Sequence, residues 1–175
     1  MPERDDIAIT RSGADRIDEL QPLWKALQDH HASLCETLAG LRPRTAEDSW
    51  AAARQKYAEW LSDTDAFVLI AEQAGLPVGY ALVTLGDPYW GWVTGERVAD
   101  VDTLSVLPEA RGREVGTKLM DAVESELDRR GVREFRVVVL APNAEALRFY
   151  ERRGLSPVTH TLLGRIQGAE ESADG

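Results

Sequence analysis

The chain has 175 residues, enough for one domain with a sizeable core, with 43% hydrophobic and 29% charged residues in ordinary globular proportion. Its 30 acidic against 20 basic residues give a formal net charge of −10, which counts against nucleic acid as the main partner, because that binding draws its affinity from phosphate neutralisation. No apolar run is long enough to cross a bilayer, the N-terminus is charged rather than signal-like, and the lone cysteine, Cys35, permits neither an internal disulfide nor a Cys-based zinc cage. The expectation is a cytoplasmic protein with no membrane partner and no metal, whose acidic balance suits a cationic substrate.

Residues 1–6 are polar and read as a flexible N-terminus. Ile7 and Ile9 alternate with Ala8 and Thr10, which makes a short opening strand. Ser12 with Asp15 marks a helix start. Ile17, Leu20, Trp24, Leu27, His31 and Leu34 then follow a helical stripe that Pro22 breaks or restarts. His30 and His31 are adjacent, so they cannot share one face and make a poor metal pair. Either they sit half-exposed at a helix end, or one of them lines a substrate pocket. Gly40 to Arg44 is a connector, and Thr45 with Asp48 opens a second helix whose stripe is Trp50, Ala53, Tyr57 and Trp60.

The period then changes to two. Residues 67–71 and 77–83 read as strands joined by a tight turn around Ala74-Gly75. Tyr89, Trp90 and Trp92 crowd the following loop, where they either wall a pocket or cap an end of the core. Residues 98–107 form the next strand, residues 113–130 its helix, and Gly131 stands where a C′ glycine belongs. Residues 132–140 read as a buried strand. Asn143 is the natural N-cap of a short helix carrying Ala146, Leu147 and Tyr150, which Gly154 ends. Residues 155–158 and 161–166 read as closing strands, and 167–175 as a disordered tail.

The stretch Val101 to Met120 organises the rest. Val101, Leu104, Val106 and Leu107 have strand character, Pro108 stops it, and Val115, Leu119, Val123 and Leu127 make one apolar helix face. Between them lies Arg111-Gly112-Arg113-Glu114-Val115-Gly116. Free amides at a helix N-terminus beside guanidiniums make an anion site, with phosphate the usual guest. A plain β-turn-α connection with solvated arginines is the alternative. The order β-α-α-β-β-β-α-β-α-β-β gives a mixed α/β or α+β sheet sandwiched by helices.

That order resembles the GNAT acetyltransferase superfamily over about residues 7–166. The resemblance is carried by Leu104-Ser105-Val106 with Pro108 and Glu109, by the loop Arg111 to Gly116, and by Asn143 through Phe149-Tyr150-Glu151 to Gly154-Leu155. The family's phosphate loop reads Arg/Gln-x-x-Gly-x-Gly/Ala. Arg111 and Gly116 fit it, while Glu114 stands at the central glycine. The resemblance implies one domain at residues 7–166, with a mainly antiparallel sheet flanked by helices and a splayed central strand pair. It implies acetyl-CoA as cosubstrate, its pyrophosphate on the amides of Arg111, Gly112, Arg113, Glu114, Val115, Gly116 and Thr117. The main chain of Leu104, Ser105 and Val106 would face pantetheine and the thioester, Asn143 would contact the CoA arm, and Tyr150 matches the donor to the departing thiolate.

An amine near pKa ~10 is mostly ammonium at neutral pH, so a carboxylate has to remove a proton. Asp100 and Asp102 lie two apart on one strand, facing the same side, where family members place an acidic base; Glu96 is a third candidate. Trp24, His31, Trp90, Trp92 and Asp100 are the candidate walls of the acceptor site. The expected activity is N-acetylation of a small cationic primary amine by direct attack on acetyl-CoA, by a monomer or a homodimer. The rival is a degenerate acyl-CoA-binding or regulatory module, favoured if Glu114 spoils the loop.

Overall fold

The computed structural model describes residues 6–63 and 65–164. Its five strands, β1 (Ile7–Ser12), β2 (Phe67–Gln73), β3 (Leu76–Gly86), β4 (Val98–Val106) and β5 (Glu134–Val137), form one sheet in chain order. Neighbours are antiparallel except β4 and β5, which run parallel. The β2–β3 turn uses Ala74 at φ 52° and Gly75 at φ 79°. Two consecutive left-handed residues match the twist of the flanking strands, so the two-residue hairpin closes without splaying them.

Helices cover both faces. After a 3₁₀ turn at Ala14–Leu20 come α1 (Gln21–Leu34) and α2 (Ala46–Leu61). Pro22 lies in the first turn of α1, where its missing N–H had no intrahelical partner to lose; it restarts the helix rather than breaking it. Thr45 caps α2, its hydroxyl accepting from Asp48 N–H at 3.1 Å. These helices bury Leu20, Leu23, Trp50 and Tyr57 against Val68, Ile70, Tyr80 and Leu82. On the opposite face α3 (Val115–Arg129) buries the foreseen stripe Val115, Leu119, Val123 and Leu127 against Leu69, Ala81, Val83 and Val101. Its Glu126 is only 3% exposed, and Arg11, Arg129 and Arg130 pair with it there. A buried carboxylate survives only with such partners. The last helix is α4 (Ala144–Arg152).

The docking of α3 depends on Gly79 in β3. A Cβ there would lie 2.9 Å from the Ser105 carbonyl oxygen and 3.1 Å from Val115 Cγ1. With no side chain, the first turn of α3 settles directly on β3 and β4, which places the loop before it.

The two central strands splay for a local reason. β4 pairs with β5 over four positions, Val98↔Glu134 to Val101↔Val137. On its other edge β4 carries one residue more than β3: Leu82 faces Thr103 and Val83 faces Val101, so Asp102 has no partner. A bulge bends its strand and sharpens the twist. Immediately past it β4 and the chain after β5 part company.

Three expectations change. The strand read over 132–140 shrinks to Glu134–Val137, half-buried, with Val138 90% exposed, because the splay removes its partner strand beyond Val101. The segment 155–164 contains no strand among the described residues; it is largely exposed and interrupted by Pro157, which offers no N–H to a ladder. The remainder of the second closing strand and the tail lie outside the described residues, as do residues 1–5. Among the described residues no helix is long and apolar enough to cross a membrane.

Candidate functional site

The splay opens a cleft of ≈ 450 Å³ whose walls are α1, the end of β4, the loop into α3 and α4. Its floor is main chain. Leu107 N–H donates to the Val78 carbonyl at 2.9 Å, so Leu107 faces β3. Backbone direction alternates along a strand, so Ser105 and Thr103 also face β3 and Leu104 and Val106 face the opposite edge. That edge has no strand beyond Val101 among the described residues, and Arg111 Nε reaches only the Val106 oxygen, at 3.4 Å. The side chains divide too. Ser105 Oγ donates to the Leu23 carbonyl at 2.8 Å, tying β4 to α1, whereas Leu104 and Val106 pack on the α3 side.

At one end of the floor α3 begins. Its first intrahelical bond runs from Lys118 N–H to the Glu114 carbonyl at 2.9 Å, and among the described residues no acceptor meets the amides of Val115, Gly116 and Thr117. Those amides and the helix dipole favour an anion. Gly112 at φ 74° turns the loop, and so does Glu114 at φ 61° with no side-chain cap bond. A non-glycine residue pays of order 1 kcal/mol or more for that conformation. In the walls Arg111 and Arg152 oppose Glu114 and Glu145. Side-chain charge is therefore nearly balanced, and the free amides are what favours an anion there.

Across from β4 stands α4. Asn143 caps it, Oδ1 accepting from Ala146 N–H at 3.1 Å, which leaves the side-chain NH₂ for a ligand. Tyr150, 9% exposed, lines the cleft, and burial pushes its phenol up to about 12. It therefore stays protonated near neutral pH and keeps an O–H to donate.

The cleft gathers every residue assigned from sequence to the cosubstrate except Arg113. The assigned acceptor walls lie elsewhere. Trp24 sits half-buried between helices, its indole N–H donating to Ser49 Oγ at 3.0 Å. His31 turns away from the cleft, partly buried, and burial, aided by the charge of His30, lowers its pKa. It is His30 that lines the cleft, one helical step from Leu27. Trp90 and Trp92 are 89% and 79% exposed on the β3–β4 loop, at the opposite end of β4 from the phosphate loop. Glu145, Phe149 and Arg152 also line the cleft and were not assigned to it from sequence. Their i, i+4, i+7 spacing on α4 was the available signal.

The carboxylates separate clearly. Asp100 is held in a two-pronged pair by Arg136, whose Nη2 donates at 2.9 Å to Oδ2 and whose Nε bonds Oδ1. Asp102 accepts from Thr84 Oγ1 at 2.7 Å and from the Thr84 backbone N–H, and carries no ion pair although the residue as a whole is exposed. Crowding by the surrounding protein raises its pKa; the Thr84 hydrogen bond opposes this and the charge of Asp100 adds to it. Glu96 is exposed and precedes β4 altogether. Among the described residues no group of three or more His, Cys, Asp or Glu is placed to hold a metal ion.

Comparison with known proteins matches residues 24–155 to the model of the acetyltransferase (GNAT) family. The chain is 35% identical over 94 residues to a mycothiol acetyltransferase of Amycolatopsis mediterranei (strain U-32), covering 54% of this chain and 31% of that one. It is 32% identical over 99 residues to the thialysine N-epsilon-acetyltransferase of Mus musculus, covering 55% and 56%. It thus spans 31% and 56% of these two curated relatives. A solved aminoglycoside N-acetyltransferase in complex with CoA superposes with a TM-score of 0.67 at 18% identity, over 93% of this chain and 95% of that one, a likeness of fold.

Proposed function

Because the chain belongs to the acetyltransferase (GNAT) family, we propose that it is an acetyl-CoA-dependent N-acetyltransferase acting on a small cationic primary amine. The observation that carries this reading is the convergence on one cleft of three features: the free amides of α3, the open main-chain edge at Leu104 and Val106, and the Tyr150 hydroxyl. A diphosphate fits the first, an extended amide-bearing chain the second, and a thiolate the third. Two of the relatives named above, one acting on thialysine at its ε-nitrogen and one on aminoglycosides, support an amine acceptor.

Acetyl-CoA supplies the activated acyl group. The amides of Val115, Gly116 and Thr117 hold its phosphates, and the edge of β4 orients the arm toward Tyr150. Asp102 takes the proton that the ammonium has to lose before its nitrogen can attack, directly or through one water. Its raised pKa makes it a better proton acceptor than an ordinary carboxylate, and Asp100, locked to Arg136, is not free to compete. Asp102 lies two residues from Leu104, about 7 Å along the strand at ~3.3 Å per residue. Tyr150 donates a hydrogen bond to the departing sulfur. Full proton transfer from a phenol near 12 to a thiolate of pKa about 8.5 is uphill by about 5 kcal/mol, so stabilisation rather than protonation is its role.

The test is release of free thiol from acetyl-CoA with a panel of mono- and polyamines, beside calorimetric titration with CoA. Turnover with at least one amine and micromolar to millimolar CoA binding are expected; no binding at millimolar CoA would sink the reading. The strained Glu114 favours one rival, a CoA-binding module without turnover. Tyr150→Phe separates the two: an enzyme loses turnover and keeps CoA affinity, whereas a sensor has no turnover to lose.

A further inference from the structure

We infer that the buried hydroxyl pair of Tyr57 on α2 and Thr103 on β4 is a positioning device for this centre, holding the bulge at Asp102 in register. The inference rests on the acetyltransferase reading for its consequence, and on geometry alone for its existence.

A bulge is one residue from slipping out of place. Ahead of it Ala99 and Val101 face the α3 core; behind it Leu104 and Val106 face that same core, while Thr103 and Ser105 face α1 and α2. The alternation has therefore inverted at Asp102. A one-residue slip would carry Leu104 and Val106 to the wrong face and turn Thr103 and Ser105 toward α3. Strand pairing does not hold Asp102 itself, because that residue has no partner on β3.

Side chains from the helix layer supply the missing constraint. Tyr57 OH lies 2.5 Å from Thr103 Oγ1 and 3.0 Å from Tyr80 OH, so one phenol bridges β4 and β3 just behind the bulge. All three hydroxyls are buried, and buried hydroxyls require partners, so the chain of bonds selects one register. The Tyr57 ring is packed independently, edge-on to Trp24 and Trp50 and stacked on Trp60. A phenylalanine would keep that packing and lose only the hydroxyl. The groups facing Asp102 are Thr84 from β3, Asp100 beside it on β4, Arg136 from β5 and Tyr57 from α2. Tyr57 is the one that ties the helix layer to the bulge.

The experiment compares Tyr57→Phe, Thr103→Val, their double variant and a control, Ser49→Ala. The control removes the Trp24–Ser49 hydrogen bond of the same layer, a bond that does not involve β4. Two readouts are taken: kcat and KM against pH, and the titration of the Asp102 carboxyl followed by ¹³C NMR without substrate. Each single variant should lower kcat about tenfold or more, the scale of a small misplacement at a reaction centre. KM for acetyl-CoA should stay within about twofold, and the Asp102 midpoint should move to lower pH as water gains access. The double variant should be no worse than either single one. Single variants that melt cooperatively yet leave kcat and the Asp102 midpoint unchanged would overturn the inference, and so would Ser49→Ala producing the same changes. A wild-type protein with no turnover, in which Tyr57→Phe still shifts the Asp102 midpoint, would retire the transferase reading and leave the positioning role standing.

Discussion

The two halves of β4 have the same strand geometry and opposite fates. From Val98 to Val101 it is paired on both edges and buried; from Leu104 to Val106 one edge is paired and the other is the floor of the cleft. The closed half carries its acid, Asp100, in an ion pair with Arg136, while the bulge that separates the halves leaves Asp102 free. A sheet supplies unpaired main-chain donors and acceptors only where a partner strand departs. The bulge makes that departure abrupt, so a closed and an open main-chain edge sit within a few residues on one strand.

The sharpest way to break this contrast is at the far wall of the open half. Tyr150→Phe should lower kcat by about 10²-fold or more, the scale for losing one hydrogen-bond donor to charge that develops in the transition state, with CoA affinity by calorimetry unchanged within about twofold. Because burial already holds the phenol near 12, the alkaline limb of the wild-type pH profile should not belong to it.

Asp102→Asn should come next, lowering turnover at neutral pH by about 10²-fold. Here activity and stability should move in opposite directions. The folded protein raises the Asp102 pKa above its ordinary 3.8, so it binds the proton more tightly than the unfolded chain does. The associated stability is present below 3.8 and is lost as pH rises through the raised value. Asparagine removes that loss, and thermal melting at pH 7 should show the variant at least as stable as wild type. A clear drop in melting temperature would mean that Asp102 is structural.

Two glycines of β3 sharpen the same comparison, since each faces a different half of β4. A Cβ at Gly79 meets the Ser105 main chain at 2.9 Å, while one at Gly86 is crowded by side-chain ends, Asp100 Oδ2 at 2.9 Å and Arg136 Nη2 at 3.2 Å, with main chain no nearer than the Val98 oxygen at 4.0 Å. Main chain cannot step aside cheaply. Gly79→Ala should cost about 1–3 kcal/mol in chemical denaturation and weaken CoA binding by shifting the first turn of α3. Gly86→Ala should cost less and leave CoA binding alone.

The smallest effect is a gain. Glu114→Gly relieves a left-handed glutamate and removes a carboxylate from the phosphate cradle, so CoA should bind about fivefold more tightly, the equivalent of roughly 1 kcal/mol. Glu114→Gln removes the charge but not the strain, and should recover only part of that gain.

Much of this was legible from residue order alone. The helix stripes, the Thr45 and Asn143 caps, the Ala74-Gly75 hairpin, the loop from Arg111 to Gly116 and the departure at Glu114 are signals confined to a few neighbouring residues. Propensity and capping act over one or two turns, so they survive in the sequence whatever the rest of the chain does. Asp100 and Asp102 were expected to share a face by simple alternation. They do, but the bulge also brings Thr103 onto that face, and that could not be read from β4 by itself.

A bulge belongs to a pair of strands, because it exists only as a mismatch with β3. The same holds for the splay, which needs β5, and for the choice of His30 over His31, which depends on how α1 lies across β4. Trp90 and Trp92 had the composition of a pocket wall but are carried to the far end of the strand. Sequence by itself determined the four helix stripes, their caps and the strands up to β4, since those are set by local periodicity and caps. Which of two neighbouring acids is free, and which edge of β4 stays open, was decided by tertiary structure, because both are set by contacts between residues far apart in the chain.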